Sequence, residues 1–290
     1  MTKNTSETDV EINPGALLEQ VIALAQQAGQ AILDVYDGDQ LNVRTKSDES
    51  PVTAADLAAH GLLVPGLRGI LPAVPVLSEE GTIPAFRERS RWQRYWLVDP
   101  LDGTKEFIQR NGEFTVNIAL IENHIPVLGV VYVPVTGVVY AGSAGTGAFK
   151  EVDGIRASIQ VRPLPPPGEE TVVASRRHGA GTVEALLTGL SAQLGPVQAV
   201  SMGSSLKLCL VAEGKADFYP RLALTCEWDT AAAQAVVEAA GGAVLDIDFA
   251  PMRYNTKEEL LNPFFYVVGD QTFDWSTLLS NPPQGLDATD

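Results

Sequence analysis

The 290-residue chain predicts an α/β fold of layered helices and sheets, and three stretches carry that expectation. Residues 14–37 and 53–71 place apolar side chains at helical spacing. Residues 114–150 read as short strands separated by Asn, Pro and Gly turns, and residues 171–269 alternate between strand and helix patterns. Helices with one apolar face must cover a sheet, so this mixture predicts layers.

Asn13-Pro14 has the form of an N-cap followed by proline at the first helical position, and Gly38 stops that helix. Thr53-Ala54-Ala55-Asp56 opens a second helix running to about Leu71. Short strands follow at 75–77 and 95–98, then a meander with strands at 114–121, 127–133, 138–140 and 147–150. The Pro-rich stretch 162–168 marks a boundary between a unit at 14–162 and a unit at 169–275. In the second unit, strands are expected at 171–174, 197–200, 216–219, 243–245 and 264–269, with helices near 181–193, 204–214 and 229–240. The ends, 1–13 and 276–290, read as flexible tails.

A hydrophobic content of 45% and an aromatic content of 7% are ordinary for a folded protein with a substantial core. The formal net charge of −16 argues against nucleic acid or an anionic membrane as a non-specific partner. It leaves room for a small phosphorylated substrate held by a local cluster of cations. The two cysteines, Cys209 and Cys226, lie among apolar residues without metal-ligand spacing, which suits a reduced, cytoplasmic setting. The polar start of the chain lacks a secretory signal layout, and the apolar stretches are too interrupted for a transmembrane helix.

The stretch Trp96-Leu97-Val98-Asp99-Pro100-Leu101-Asp102-Gly103-Thr104 drives an apolar strand straight into two aspartates. Carboxylates packed at the end of a core strand repel one another and lose solvation. A divalent cation removes the conflict. The Asp99-x-x-Asp102 spacing can set both carboxylates and the Leu101 carbonyl around one ion, a hard-oxygen set that suits Mg²⁺. Further acidic groups stand at element boundaries: Asp56, Glu79-Glu80 and Asp229. Each also has a purely structural reading. Thr53-x-x-Asp56 is a capping-box pattern, Asp229 can be an N-cap, Glu79-Glu80 can be a solvated turn, and Asp99-Pro-Leu-Asp-Gly can be a β-turn.

Together, Glu79-Glu80, Asp99-Pro-Leu-Asp-Gly-Thr104 and Trp228-Asp229-Thr-Ala-Ala resemble the Mg²⁺-dependent, lithium-sensitive phosphomonoesterase superfamily. That superfamily includes inositol monophosphatases, fructose-1,6-bisphosphatases and 3'(2'),5'-bisphosphate nucleotidases. The likeness covers about residues 15 to 270 and is nearest to the bacterial nucleotidase branch, on segments 50–56, 92–108, 110–120 and 203–207. It implies a layered α-β-α-β sandwich of the inositol monophosphatase and sugar phosphatase type. The first unit would bind metal on an antiparallel sheet, and the second would bind substrate.

By this resemblance Glu79, Asp99 and the Leu101 carbonyl hold one Mg²⁺, and Asp99, Asp102 and Asp229 a second, for two or three ions in all. Asp56 and Thr104 orient and deprotonate the attacking water, with Glu80 behind them. The Gly103 and Thr104 amides cradle the phosphate being removed, and Glu79, Leu101, Asp102 and Asp229 border it. Lys46 lies near the site on a mobile loop. Gly203, Ser204, Ser205 and Lys207 meet sugar and second phosphate, and Arg221 adds charge there. Leu224 and Cys226 depart from the usual pattern just before the Trp-Asp motif, and the polar N-terminal tail is an extension.

Lys105-Glu106-Phe107 looks like the nucleotidase branch, and a bisphosphate needs the extra cations that Lys207 and Arg221 can supply. The expected reaction is hydrolysis of 3'-phosphoadenosine 5'-phosphate (PAP) to AMP and phosphate, clearing a by-product of sulfate assimilation. PAPS is a second candidate substrate. Other readings stay open at this point: an inositol or broader sugar phosphatase, a non-catalytic nucleotide-binding protein, and a structural metal site. Relatives in this branch have been assigned to the inner face of the bacterial membrane, for which the −16 charge gives no physical reason.

Overall fold

The computed structural model describes residues 13–38, 43–45, 51–174 and 180–279. Helix α1 (Pro14–Tyr36) starts as its sequence dictates, with the Asn13 side chain accepting the Gly15 N–H and proline at the first position. Leu18, Val21, Ile22, Ala25, Ala28 and Ile32 form its buried stripe. Strands β1 (Arg44–Thr45) and β2 (Pro51–Val52) pair antiparallel ahead of helix α2 (Ala54–Ile70), which packs along α1.

Next come β3 (Val76–Ser78), the short helix α3 (Phe86–Arg89), β4 (Arg94–Asp102) and the short helix α4 (Thr104–Ile108). Strands β5 (Thr115–Glu122), β6 (Ile125–Val133), β7 (Val138–Ser143), β8 (Gly147–Val152) and β9 (Ile155–Ile159) complete a seven-stranded sheet in the order β3-β4-β5-β6-β7-β8-β9. Only the β3–β4 pair is parallel; the rest is the expected antiparallel meander.

The second half supplies β10 (Thr171–Ala174), α5 (Ala180–Leu194), β11 (Gln198–Ser201), α6 (Leu206–Ala212), β12 (Phe218–Arg221), α7 (Glu227–Ala239), β13 (Ala243–Asp246), β14 (Phe265–Val268) and α8 (Ser276–Leu279). Their sheet runs β11-β10-β12-β14-β13, parallel at β10 and antiparallel around β14.

Side-chain alternation sets the layers. On β4 and β5, Trp96, Val98, Val116, Ile118 and Leu120 join the core under α1 and α2, whereas Tyr95, Leu97, Ala119 and Ile121 join the core around α6 and α7. That second core also takes Val173, Phe265 and Val267 from the other sheet, so α7 is wedged between the two sheets. The alanine-rich sequence of α7 explains the fit: Ala231, Ala232, Ala233, Ala235, Val236 and Val237 are all buried. Small residues allow close approach. A Cβ on Gly129 of β6 would collide with the Ala232 carbonyl. On the outer face of the second sheet, Leu186 and Leu190 of α5 pack with Phe218, Tyr266, Trp275 and Leu279. The layered architecture is the expected one, with α5 and α8 as a further outer cover.

Several local expectations change. The short α3, α4 and α8 and the strand β9 carry too little periodicity to be read beforehand. Strand β4 extends through Asp102 because its pairing with β5 resumes after an irregularity between Asp99 and Asp102. Residues 276–279, expected as the start of a tail, instead form α8 with Leu279 buried in the same core as Trp275, and residues 280–290 lie outside the described residues. Of the expected N-terminal tail, Asn13 is the cap of α1, and the rest lies outside the described residues, as does Lys46. No helix among the described residues is long and apolar enough to cross a membrane.

Candidate functional site

Three segments deliver carboxylates to one end of the seven-stranded sheet. The Glu79 N–H bonds the Val98 carbonyl at 3.1 Å, so the parallel β3–β4 pair sets Glu79 beside Asp99. Asp99 is buried on β4, and its Oδ1 accepts the Leu101 N–H at 3.0 Å, which bends the chain back after Pro100. Helix α7 supplies Asp229. Carboxylate oxygens of Glu79, Asp99 and Asp229 all lie within 4.8 Å of one another. Burial, then the charges of Glu79, Asp102 and Asp229, hold the Asp99 carboxyl well above the usual range. Burial, then Asp102 and Glu79, do the same to Asp229. Such a cluster is costly for protein alone, and a hard divalent cation fits it.

Asp102 stands apart from that trio. Its Oδ2 accepts the Ser205 N–H at 2.6 Å and the Asn117 amide at 3.3 Å. Burial pushes its carboxyl up to about 6, while Lys207 and these hydrogen bonds pull the other way. Behind it, Thr115, Asn117 and Ser205 form a closed polar group: the Thr115 and Ser205 hydroxyls are 2.9 Å apart, and the Ser205 hydroxyl donates to Asn117 at 2.9 Å. Thr115 and Asn117 are missing from the sequence-level list of site residues. Their signal is visible afterwards, as two polar residues at i and i+2 on the α7-facing side of an otherwise apolar strand.

Gly103 carries φ +95°, a left-handed turn that leads directly into α4. Thr104 is the first residue of α4, and its hydroxyl donates to Asp56 Oδ1 at 3.3 Å. The other oxygen of Asp56 takes the Thr53 N–H at 2.7 Å and the Thr53 hydroxyl at 2.6 Å. The capping box of α2 is therefore real, and the same carboxylate also reaches the site. Burial raises the Asp56 carboxyl, the Thr53 hydrogen bonds oppose the rise, and Glu80 adds to it.

Asp229 is not the N-cap of α7. Cys226 holds that position, and Asp229 at the third helical residue accepts the Cys226 N–H at 2.8 Å. A side chain at that position can reach back to the cap, whereas the cap residue itself must be extended.

An open cleft of about 130 Å³ adjoins the carboxylates, lined among others by Asp102, Gly103, Ser204, Lys207, Arg221 and Asp229. Gly203 lines it too, and its N–H is pinned to Glu113 at 2.7 Å. Lys207 is buried, not an exposed helix charge. Its ammonium donates to the Ser204 carbonyl at 2.6 Å, and burial lowers its pKa to about 8, partly offset by Asp102. Arg221 is also buried, but it gives Nε to the Ala223 carbonyl at 3.1 Å and Nη2 to the Leu224 carbonyl at 2.9 Å. Much of its donor capacity therefore shapes its own loop.

The inositol monophosphatase family model matches residues 15–270, and the chain belongs to that family. The 3'(2'),5'-bisphosphate nucleotidase CysQ of Escherichia coli K12 is 54% identical over 252 residues, covering 87% of this chain and 99% of the relative. Its namesake from Haemophilus influenzae is 40% identical, over 90% of this chain and 96% of its own. The crystal structure of CysQ from Bacteroides thetaiotaomicron, a bacterial member of the same family, superimposes with a TM-score of 0.77 at 43% identity, covering 88% of this chain and 97% of the other.

Proposed function

We propose that this chain is a metal-dependent 3'(2'),5'-bisphosphate nucleotidase that hydrolyses PAP to AMP and phosphate. One observation carries the chemistry: the Glu79–Asp99–Asp229 oxygen cluster stands at one end of the sheet together with the Asp56–Thr104 pair. The substrate follows from the named relatives and from a buried lysine that lines the adjoining cleft.

In this reading Glu79, Asp99, the Leu101 carbonyl, Asp102 and Asp229 hold two or three Mg²⁺. When bound, the ions supply positive charge for phosphate oxygens and acidify water. The protein does the aiming. Asp56, fixed through one oxygen by Thr53, accepts the Thr104 hydroxyl proton through the other, so that the Thr104 oxygen can accept from the incoming water. Burial raises the Asp56 carboxyl, which makes it a better proton acceptor, and the Glu80 charge adds to that rise. The N–H groups of Gly103 and Thr104, at the left-handed turn into α4, would cradle the phosphate being removed. Gly203, Ser204 and Ser205 border the sugar and second phosphate, Lys207 provides cationic charge, and Arg221 lends charge while shaping the 222–225 loop. A reducing, cytoplasmic setting suits the two free thiols, Cys209 and Cys226.

Phosphate release from PAP and from inositol 1-phosphate, side by side, tests this with Mg²⁺, without it, and with added Li⁺. Mg²⁺-dependent, Li⁺-sensitive turnover favouring PAP is expected. Equal or better turnover of inositol 1-phosphate would move the chain to the inositol phosphatase branch.

A further inference from the structure

Arg89 is among the most deeply buried large side chains of the protein, yet it belongs to a four-residue helix in the connection between β3 and β4. That connection joins Glu79 to Asp99. The guanidinium crosses to a segment 166 residues away, where Nη1 donates to the Asn255 side-chain oxygen. Nη1 also donates to the Lys257 carbonyl at 3.2 Å, and Nη2 to the Glu258 carbonyl. The Asn255 side chain answers by donating to the Arg89 carbonyl at 2.6 Å. Asn255 has φ +57°, a left-handed conformation that Asn tolerates well. This turn aims its N–H at both oxygens of Glu227, at 2.9 and 2.8 Å.

Glu227 is the first residue of α7, two positions before Asp229. The same loop grips it again, since the Glu227 N–H bonds the Leu260 carbonyl at 2.8 Å. The Asn262 amide donates to the Cys226 carbonyl at 2.7 Å. Arg89, Asn255 and Glu227 are all at or below 2% exposure, so water does not compete for these bonds.

We infer that Arg89, Asn255 and Glu227 form a buried strut that sets the distance between the Glu79/Asp99 arm and Asp229. Arg89 is a positioning residue: its bonds fix the 255–258 loop, the loop fixes Glu227, and Glu227 fixes the first turn of α7. A planar, five-donor guanidinium suits this task because it can hold a side-chain oxygen and two backbone carbonyls at once. The role rests on the metal-site reading above, and it predicts that ion affinity depends on residues that touch no ion. Groups that orient metal ligands from behind typically change affinity by about 10- to 100-fold when lost.

The test is Mn²⁺ binding to the full chain, followed by the electron paramagnetic resonance signal of free Mn²⁺. Asn255→Gly keeps the left-handed backbone and its bond to Glu227 but cuts the side-chain link to Arg89. Arg89→Lys keeps the charge but not the fork. Leu190→Ala, on the buried side of α5, is the control for lost stability alone. Both strut variants are expected to bind Mn²⁺ about 10-fold more weakly, with the control unchanged. Wild-type affinity in both strut variants, or an equal loss in the control, would overturn the strut. Failure of the wild type to bind Mn²⁺ would instead overturn the metal site itself, and the strut with it.

Discussion

Helices α2 and α7 begin with the same device and use it for different ends. Each has an aspartate at its third residue that reaches back to the N–H of the cap, Asp56 to Thr53 at 2.7 Å and Asp229 to Cys226 at 2.8 Å. Each therefore spends Oδ2 on the helix. The remaining contacts differ. Asp56 receives a hydroxyl donor, Thr104, on Oδ1, whereas an oxygen of Asp229 joins two other carboxylates. A donor suits an acceptor that aims water; a crowd of anions suits a cation. For Asp56 the capping reading and the catalytic reading do not compete, because one oxygen serves the cap and the other faces Thr104.

Variants that keep each cap while removing the charge test the contrast. The largest effect is expected from Asp229→Asn. Asparagine can still accept the Cys226 N–H, but the site loses an anion, so Mn²⁺ binding should weaken and PAP turnover at ordinary Mg²⁺ should vanish. Asp99→Asn should behave alike. Persistent turnover in these variants, read by phosphate release, would break the metal half of the comparison.

Asp56→Asn should lower kcat by about 10²- to 10⁴-fold, the usual range for a lost proton acceptor, with Mn²⁺ affinity unchanged. A matching drop in Mn²⁺ affinity would erase the distinction between the two helices. Lys207→Ala should then cost about 10- to 100-fold in kcat/KM for PAP, matching the roughly 1.5–3 kcal/mol of a hydrogen bond to a charged group. A monophosphate ester should lose much less. An equal loss on both would remove the role given to Lys207.

The caps themselves differ more mildly. Thr53 closes its box through a hydroxyl, and Cys226 only through sulfur, a weak acceptor. Thr53→Ala should cost about 1 kcal/mol in thermal or urea denaturation with chelator present, and Cys226→Ala clearly less.

The smallest effect concerns the far end of α7. Burial raises the Glu238 carboxyl above its ordinary 4.5, with the Gln234 hydrogen bond opposing. A raised carboxyl favours the protonated folded state. Its contribution is thus full below the unfolded value and is lost as pH climbs through the folded one. Urea denaturation of the wild type against Glu238→Gln should show that relative loss above about pH 4.5. A flat difference would mean that burial alone does not raise acids on this helix.

Much of this architecture was readable from local pattern. Helical spacing located α1 and α2, period-two alternation located the meander, and the alanine run after Trp228 located α7. The acid clusters at strand and helix boundaries drew notice to Glu79, Asp99, Asp102 and Asp229, each with a structural reading of its own; the family resemblance, and not spacing, proposed them together as ligands. Short elements escaped. Helices α3 and α4 are too brief to show a period, and without α3 there was no reason to single out Arg89. Thr115 and Asn117 escaped because a polar residue in a strand looks solvent-facing until both faces are known to be covered.

Residue type and spacing thus determined a layered α/β scaffold with carboxylates at the ends of its elements. Tertiary structure decided how each group is spent. It divided the oxygens of Asp56 between Thr53 and Thr104, gave one oxygen of Asp229 to the Cys226 N–H and one of Asp102 to the Ser205 N–H, buried Lys207 and tied Arg221 to its own loop. It also joined Arg89 to Asn255 across 166 residues. Spacing along a chain reports only on neighbours within a turn or a strand pair. The allocation of a donor to one of several distant acceptors is settled only when separate segments pack and exclude the water that would otherwise serve them all.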